Sequence, residues 1–192
     1  MALMKHDFRQ RQMAFTMSEM MVVIAIIGVL AGIAAPSIGS MIASTRLSTA
    51  SSSLVAAVAL ARAEAGRRGV RVTICPGSVD SSTKQVVTTN NACKTSAGAT
   101  LWNDAYLVFA ETKSGGTLGQ YEAGDTLLRA ETFAPGISIT PSFTDLSISV
   151  LPSGGVSVGG TFLTCLSGLQ GREITIKRTG NASSKVSTTV CP

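Results

Sequence analysis

Between Glu19 and Arg46 the chain carries no charged residue, and Glu19 stands alone at the edge of that gap. Residues 20–35 form an apolar run close to the length that spans a bilayer. Such a run cannot stay in water as an isolated helix. It must enter lipid or be covered by protein, which limits the folds open to the chain. A carboxylate at the lip of the run is costly there, so its default reading is functional, with a partner to be named.

The residues before the run differ from an ordinary secretory signal, which carries its small-residue cleavage site after the apolar stretch. Here the small residue, Ala14, comes first. Residues 1–14 hold Lys5, Arg9 and Arg11 against Asp7, so the positive-inside rule keeps this end in the cytoplasm and exports the C-terminal bulk. A cut after Ala14 leaves the apolar helix on the mature chain, starting at Phe15. Thr16-x-x-Glu19 also fits a capping box, in which the two side chains satisfy free N–H groups of the first helical turn. The two readings of Glu19 are compatible.

The motif Phe15-Thr16-Met17-Ser18-Glu19 and its apolar run resemble the N-terminus of type IV pilins and type II secretion pseudopilins. The resemblance implies that a prepilin peptidase cuts between Ala14 and Phe15 and that the new amine of Phe15 is methylated. It also implies that Glu19 meets the N-terminal amine of Phe15 on a neighbouring subunit. A charge pair in a low-dielectric setting is worth far more than in water when both partners are present. Gly28 and Pro36 stand at the spacings where such helices loosen or kink. Ala14 departs from the family's usual Gly, which implies slower processing.

The helix is expected to continue past the membrane, with the transmembrane part over about 20–42. Leu47, Leu54, Val58, Ala61 and Ala65 make a helical stripe, and residues 56–65 favour helix strongly. Gly66 and Gly69 flank Arg67 and Arg68, a stop with cations at the helix C-terminus. A helix from about Thr16 to Arg68 is roughly 80 Å long. Its first half is apolar all round, and its second half is amphipathic and should pack on a sheet. Pro36 should kink or locally melt it.

After Gly69 the period changes to that of strands: Val70/Val72/Ile74, then residues 106–109, 126–129, 137–139, 146–150, 155–158, 161–165 and 173–177. Gly, Pro, Asn and Asp separate them, and residues 78–99 read as a long polar loop. The expected class is α+β, a long N-terminal helix packed on an antiparallel β-sandwich-like domain. The division is a leader at 1–14, the helix at 15–69 and an exported β-rich domain at 70–192.

Four cysteines, Cys75, Cys93, Cys165 and Cys191, suit disulfides in an exported domain. Three pairings are open, and Cys75–Cys93 with Cys165–Cys191 is favoured because each closes a local loop. A metal site is a weak reading, with no C-x-x-C and the one histidine in the leader. No cofactor is implied. The absence of a histidine after the leader, of G-x-S-x-G and of a Walker loop also argues against catalysis.

The text from Leu54 to Cys75, the stretch 102–109, Leu127-Leu128-Arg129 and the turn at Leu151-Pro152-Ser153-Gly154-Gly155 resemble the GspH/FimT branch of pseudopilins and minor pilins. That branch implies a filament subunit in a type IV pilus or type II secretion system, one that helps initiate or cap the fibre. Its partners would be other pilins, the prepilin peptidase, the inner membrane and an assembly platform. DNA is the alternative partner. DNA-binding members carry Gly-Arg-x-Arg after the last long strand, where this chain has Gly180-Asn181-Ala182-Ser183. Lys177, Arg178 and Lys185 cluster in sequence and could give weak, salt-sensitive phosphate contacts, with a solvated strand end the favoured account. The formal charge is +5, or about +3 once a leader of net +2 is removed, which does not by itself argue for nucleic acid.

Overall fold

A computed structural model describes residues 15–89, 92–94, 102–112 and 115–192. Ala14, with the rest of the leader, lies outside the described residues, and so do the side chains of 33–37, including that of Pro36. The chain divides into two compact units, residues 1–42 and 43–192.

One helix, α1 (Met17–Arg68), begins in the first unit and ends in the second. It is helical through Gly28, Pro36 and Gly39, so no melted turn interrupts it where Pro36 suggested one. In the first unit every described side chain from Phe15 to Gly32 is exposed. Among the described residues no helix is long and apolar enough to cross a membrane. The described apolar side chains stop at Gly32 and resume at Ile38, on either side of 33–37.

In the second unit the helix buries Leu47, Ala50, Leu54, Ala57, Val58, Ala61 and Ala65, a stripe at three- and four-residue spacing. It stops at Gly69, which has φ +66° and donates its N–H to the Ala65 carbonyl at 2.9 Å. A glycine in this left-handed position closes the helix without a Cβ penalty.

Two four-stranded antiparallel sheets complete the unit. The first has the order β3 (Thr126–Thr132), β2 (Ala105–Ala110), β1 (Val72–Gly77) and β5 (Ile148–Val150). The second has the order β4 (Ser138–Pro141), β6 (Gly160–Cys165), β7 (Gln170–Ile176) and β8 (Ala182–Val190). Trp102, Tyr106, Ile74, Val72, Phe162, Ile174 and the buried helix residues make one core fed by both sheets. Trp102 meets Phe162 edge-on at 5.0 Å, and Phe162 meets Phe143 likewise at 5.0 Å. These aromatic pairs add to the burial of apolar area, which dominates the folding energy.

β1 and β2 are buried at every position, where alternation alone would leave one face wet. The second face is covered by a smaller cluster of Cys75, Cys93, Ala92, Leu107 and Phe109, with Val86, Tyr121 and Leu127 against it. The described residues of the polar stretch after β1, 78–89 and 92–94, therefore fold back over the sheet. Val79 bridges Val86, Gly77 bridges Cys93, and Asp80 caps the turn between them. The N–H groups of Ser82 and Thr83 donate to Asp80 Oδ1, each at 2.8 Å. With the Ser82 hydroxyl as the largest cause, these bonds hold the Asp80 carboxyl down at about 2.

Two strand assignments change. Residues 155–158 form no strand: Val156 makes a single bridge to Val150, and the Ser157 N–H reaches the Ser149 carbonyl at 2.7 Å. β8 was not expected at all. Its sequence Ala-Ser-Ser-Lys-Val-Ser-Thr-Thr-Val is polar, and seven of its nine residues are exposed, as suits the outermost strand of a sheet, which lacks the inward alternation used to find strands.

Candidate assembly segment

The start of α1 shows how the Glu19 carboxylate is held. The Thr16 N–H donates to Glu19 Oε2 at 3.1 Å, and the Glu19 N–H donates to Thr16 Oγ1 at 3.3 Å. The Thr16 hydroxyl also donates to Glu19 Oε2 at 3.1 Å. This is the reciprocal capping box, formed in full. All its members are exposed, and Phe15 beside them is 77% exposed. The local contacts thus use one carboxylate oxygen, Oε2, and leave Phe15 uncovered.

Beyond the cap, Met20, Met21, Val22, Val23, Ile24, Ile26, Ile27, Val29 and Leu30 are all exposed. Gly28 has open space around it, with nothing within 4 Å of where a Cβ would stand. An exposed apolar surface of this extent marks an interaction site. Its chemistry suits lipid or the matching surface of another helix.

The cysteines pair as Cys75–Cys93 and Cys165–Cys191, with Cα–Cα distances of 5.6 and 5.5 Å. The first fixes the segment that covers β1 and β2. The second ties the chain end back to β6, and the Cys191 N–H donates to the Leu169 carbonyl at 2.9 Å.

The three cations singled out near the end of the chain do not form one cluster. Lys177 and Arg178 lie in the turn between β7 and β8, where Gly180 donates to the Lys177 carbonyl at 2.8 Å and Val156 to the Arg178 carbonyl at 3.0 Å. Lys185 sits along β8 opposite Glu173 and is paired with it at 3.2 Å. That is three rungs beyond Ala182, about 10 Å from the turn. Lys185 thus has a carboxylate partner across the strands.

Two features had no warning in the sequence. Arg62 of α1 lies under two turns. A Cβ on Gly154 would come within 3.2 Å of Arg62 Nε, and a Cβ on Gly180 within 2.1 Å of the Gly154 carbonyl oxygen. Gly180, at φ +78°, is required there by both contact and backbone. The second feature is a polar margin on β3. Tyr106 donates its hydroxyl to Glu131 Oε2 at 2.8 Å, and Arg129 donates to the same carboxylate. Burial, with help from the Glu131 carboxylate, pushes the Tyr106 hydroxyl well above the usual phenol range. Neither feature has a local signature, because each joins residues far apart in the chain.

The comparisons with known proteins agree with this architecture. The family model for type II transport protein GspH matches residues 50–180, and that for the prokaryotic N-terminal methylation motif matches residues 9–35. No curated protein matches the chain. Among solved structures, two crystal structures of the type IV minor pilin FimU of Pseudomonas aeruginosa (strain PAO1) are similar at 16% identity. One gives a TM-score of 0.50 over 76% of this chain and 92% of that one, and the other 0.49 over 74% and 95%. At this identity the likeness concerns the fold, a long N-terminal helix with antiparallel sheets. The GspH match covers more than half of the 192 residues and adjoins a separate N-terminal methylation motif, so the chain belongs to the GspH family, among the GspH/FimT-type pilins.

Proposed function

We propose that this chain is a minor pilin or pseudopilin, a non-catalytic subunit that helps initiate or cap a type IV pilus or a type II secretion filament. In this reading a prepilin peptidase removes residues 1–14, cutting between Ala14 and Phe15, and Phe15 is then methylated. The helix over about 20–42 anchors the subunit in the inner membrane, with residues 70–192 in the periplasm. An assembly platform passes it into a filament, where its helix packs among those of other pilins. Exchange of lipid for protein around an apolar helix leaves the hydrophobic term nearly unchanged, so the cost of extraction stays small.

The observation that carries this reading is the exposed capping box beside an uncovered Phe15, followed by an apolar surface that stays exposed among the described residues. Glu19 can cap its own helix through Oε2 and still accept the N-terminal amine of a neighbouring Phe15, which would set subunit register. The DNA alternative gains nothing, since Lys185 is paired with Glu173.

The experiment is a filament incorporation assay. Glu19→Ala should leave membrane insertion intact and reduce recovery of the subunit in sheared filaments about tenfold or more, the effect of losing roughly 1.4 kcal/mol or more from a charge pair in a low-dielectric setting. Recovery at the wild-type level would refute the charge-pair role. Ala14→Lys should block processing, and a Phe15 N-terminus detected by mass spectrometry in that variant would refute the cleavage site.

A further inference from the structure

A sheet edge with unused backbone groups invites another strand, and proteins guard such edges with short strands, proline, charge or bulges. Three of the four sheet edges here are guarded. β5 has three residues, β4 ends at Pro141, and β3 carries the Arg129–Glu131 pair. β8 has nine residues and no proline. Its one charge, Lys185, stands on the face away from Ile174 and is held by Glu173. The far half of β8 is guarded as well. Its register slips between Arg172↔Val186 and Gln170↔Val190, so β8 bulges there, and the Thr189 N–H is taken by Ser187 Oγ at 3.1 Å. Residues 182–186 stay straight and pair with β7 alone among the described residues.

The ladder fixes which groups are unused. The Lys177 N–H donates to the Asn181 carbonyl at 2.9 Å, so bonded pairs recur at Thr175↔Ser183 and Glu173↔Lys185. The alternate residues Ala182, Ser184 and Val186 turn their N–H and C=O groups to the open edge. Their side chains share the face of Ile174 and Ile176, yet Ser184 and Val186 are exposed. Where β8 starts, a hollow of about 380 Å³ opens between it and α1, lined by Val55, Ala59 and Ala63 on the helix and by Asn181 and Ala182. A strand added at this edge covers Val186 and sets a small apolar side chain in the hollow.

Charge at the same end selects the partner. Arg62 also lines the hollow, and Lys177 and Arg178 stand in the adjoining turn. All three are exposed, and their side chains have no ion pair among the described residues. No described carboxylate lines the hollow. Farther along α1, a groove of about 620 Å³ walled by Arg129, Glu131 and Arg172 contains its own carboxylate. We propose that residues 182–186 accept an extended acidic segment of a partner protein as a fifth strand of the second sheet. Its backbone pairs with Ala182, Ser184 and Val186, and its carboxylates meet Arg62, Lys177 and Arg178. A nucleic acid would use the cations and leave the strand edge and the apolar hollow unfilled. A second copy of this chain would bring another basic turn to a basic edge. The surface lies wholly within residues 43–192, so the inference depends on neither leader cleavage nor membrane anchoring.

The test uses the full chain in mild detergent and a labelled short peptide of alternating valine and glutamate. One control peptide has lysine in place of glutamate, and another has proline in place of the central valine. The glutamate peptide should bind about tenfold tighter than either control. On binding, hydrogen exchange should slow at the amides of Ala182, Ser184 and Val186 and stay unchanged at Ser183 and Lys185, which already donate to β7. Ser184→Pro removes one outward N–H and spares the β7 ladder, so the variant should keep its thermal transition and lose about tenfold in affinity. Lys177→Gln with Arg178→Gln should weaken binding by about two- to fivefold for each cation. Equal binding of the glutamate and lysine peptides, or protection confined to other residues, overturns the proposal. So does full binding of the proline peptide, which decides the matter even where Ser184→Pro fails to fold. Duplex DNA that displaces the peptide and binds Ser184→Pro as it binds the wild type would show a phosphate site at the turn and overturn the strand assignment. Wild-type dimers that exclude the peptide and dissociate in Ser184→Pro would make a second copy the occupant and overturn the acidic partner.

Discussion

The two halves of α1 share a secondary structure and differ in almost everything else. From Phe15 to Gly32 every described side chain is exposed, though most are apolar. From Leu47 to Ala65 seven apolar residues are buried on one stripe, with Ser, Thr and Arg on the other faces. An all-round apolar helix suits a uniformly apolar surrounding, and a striped helix suits a boundary between core and water. One continuous element thus carries two solvation patterns, and among the described residues the change falls between the exposed Ile42 and the buried Leu47, close to the division of the compact units at 42/43.

One substitution placed in each half separates the patterns most sharply. Leu54 is 3% exposed in the core, so Leu54→Asp buries a charge with no partner and should destabilise residues 43–192 by about 4 kcal/mol or more. Circular dichroism would show loss of the cooperative thermal transition or a large fall in its midpoint. Ile24 is 65% exposed, so Ile24→Asp should leave that transition unchanged. It should instead weaken membrane integration by roughly 3 kcal/mol, read as the soluble fraction after cell lysis. Equal effects on the transition would break the comparison.

A smaller effect separates the two sheets. The first is covered on its second face in part by residues 78–89 and 92–94, which fold back over β1 and β2, with Cys75 and Cys93 joining the layers. The second sheet keeps an exposed outer strand and uses Cys165–Cys191 to hold the chain end. Replacing Cys75 and Cys93 together by alanine should cost about 2–4 kcal/mol, mainly through the freed loop in the unfolded state. It should also raise hydrogen exchange at Leu107 and Phe109, whose outer cover loosens. Replacing Cys165 and Cys191 should raise exchange in β8 and leave Leu107 and Phe109 protected. Identical exchange maps for the two variants would remove the distinction.

These differences were unevenly legible. The helix and its stop at Gly69 could be read closely, because periodicity, a cap and a glycine each mark them locally. Seven of the strands were found because they alternate or run apolar between turns. β8 escaped because its one strong signal was the β-branched run Val186, Thr188, Thr189 and Val190, with no inward-facing alternation. The strand expected at 155–158 is absent, since Val156 and Val158 alternate yet only Val156 makes a bridge. At the candidate site, Phe15 and Glu19 were legible because their motif is contiguous. The groove walled by Arg129, Glu131 and Arg172 was not, because it forms only when β3 and β7, edge and interior of different sheets, close on the same helix.

The smallest effect concerns the end of α1, where the striped half meets the first strand. Arg67 donates to Glu64 at 2.7 Å and Arg68 at 2.6 Å, so two cations in the last turn share one carboxylate. Those hydrogen bonds, from Arg67 first and then Arg68, hold the Glu64 carboxyl down at about 2 against its ordinary 4.5. A depressed folded value means the stabilisation is full above about pH 4.5, declines as the pH falls through that value, and is gone below about 2. Glu64→Gln removes the charge and with it this window. The variant should therefore lose a little stability at neutral pH and none below pH 2, so the two melting curves converge on acidification. Their spacing at neutral pH should also shrink in high salt, because exposed pairs are screened. A gap that persists unchanged into acid would mean that Glu64 acts through packing at the helix end instead of through its charge.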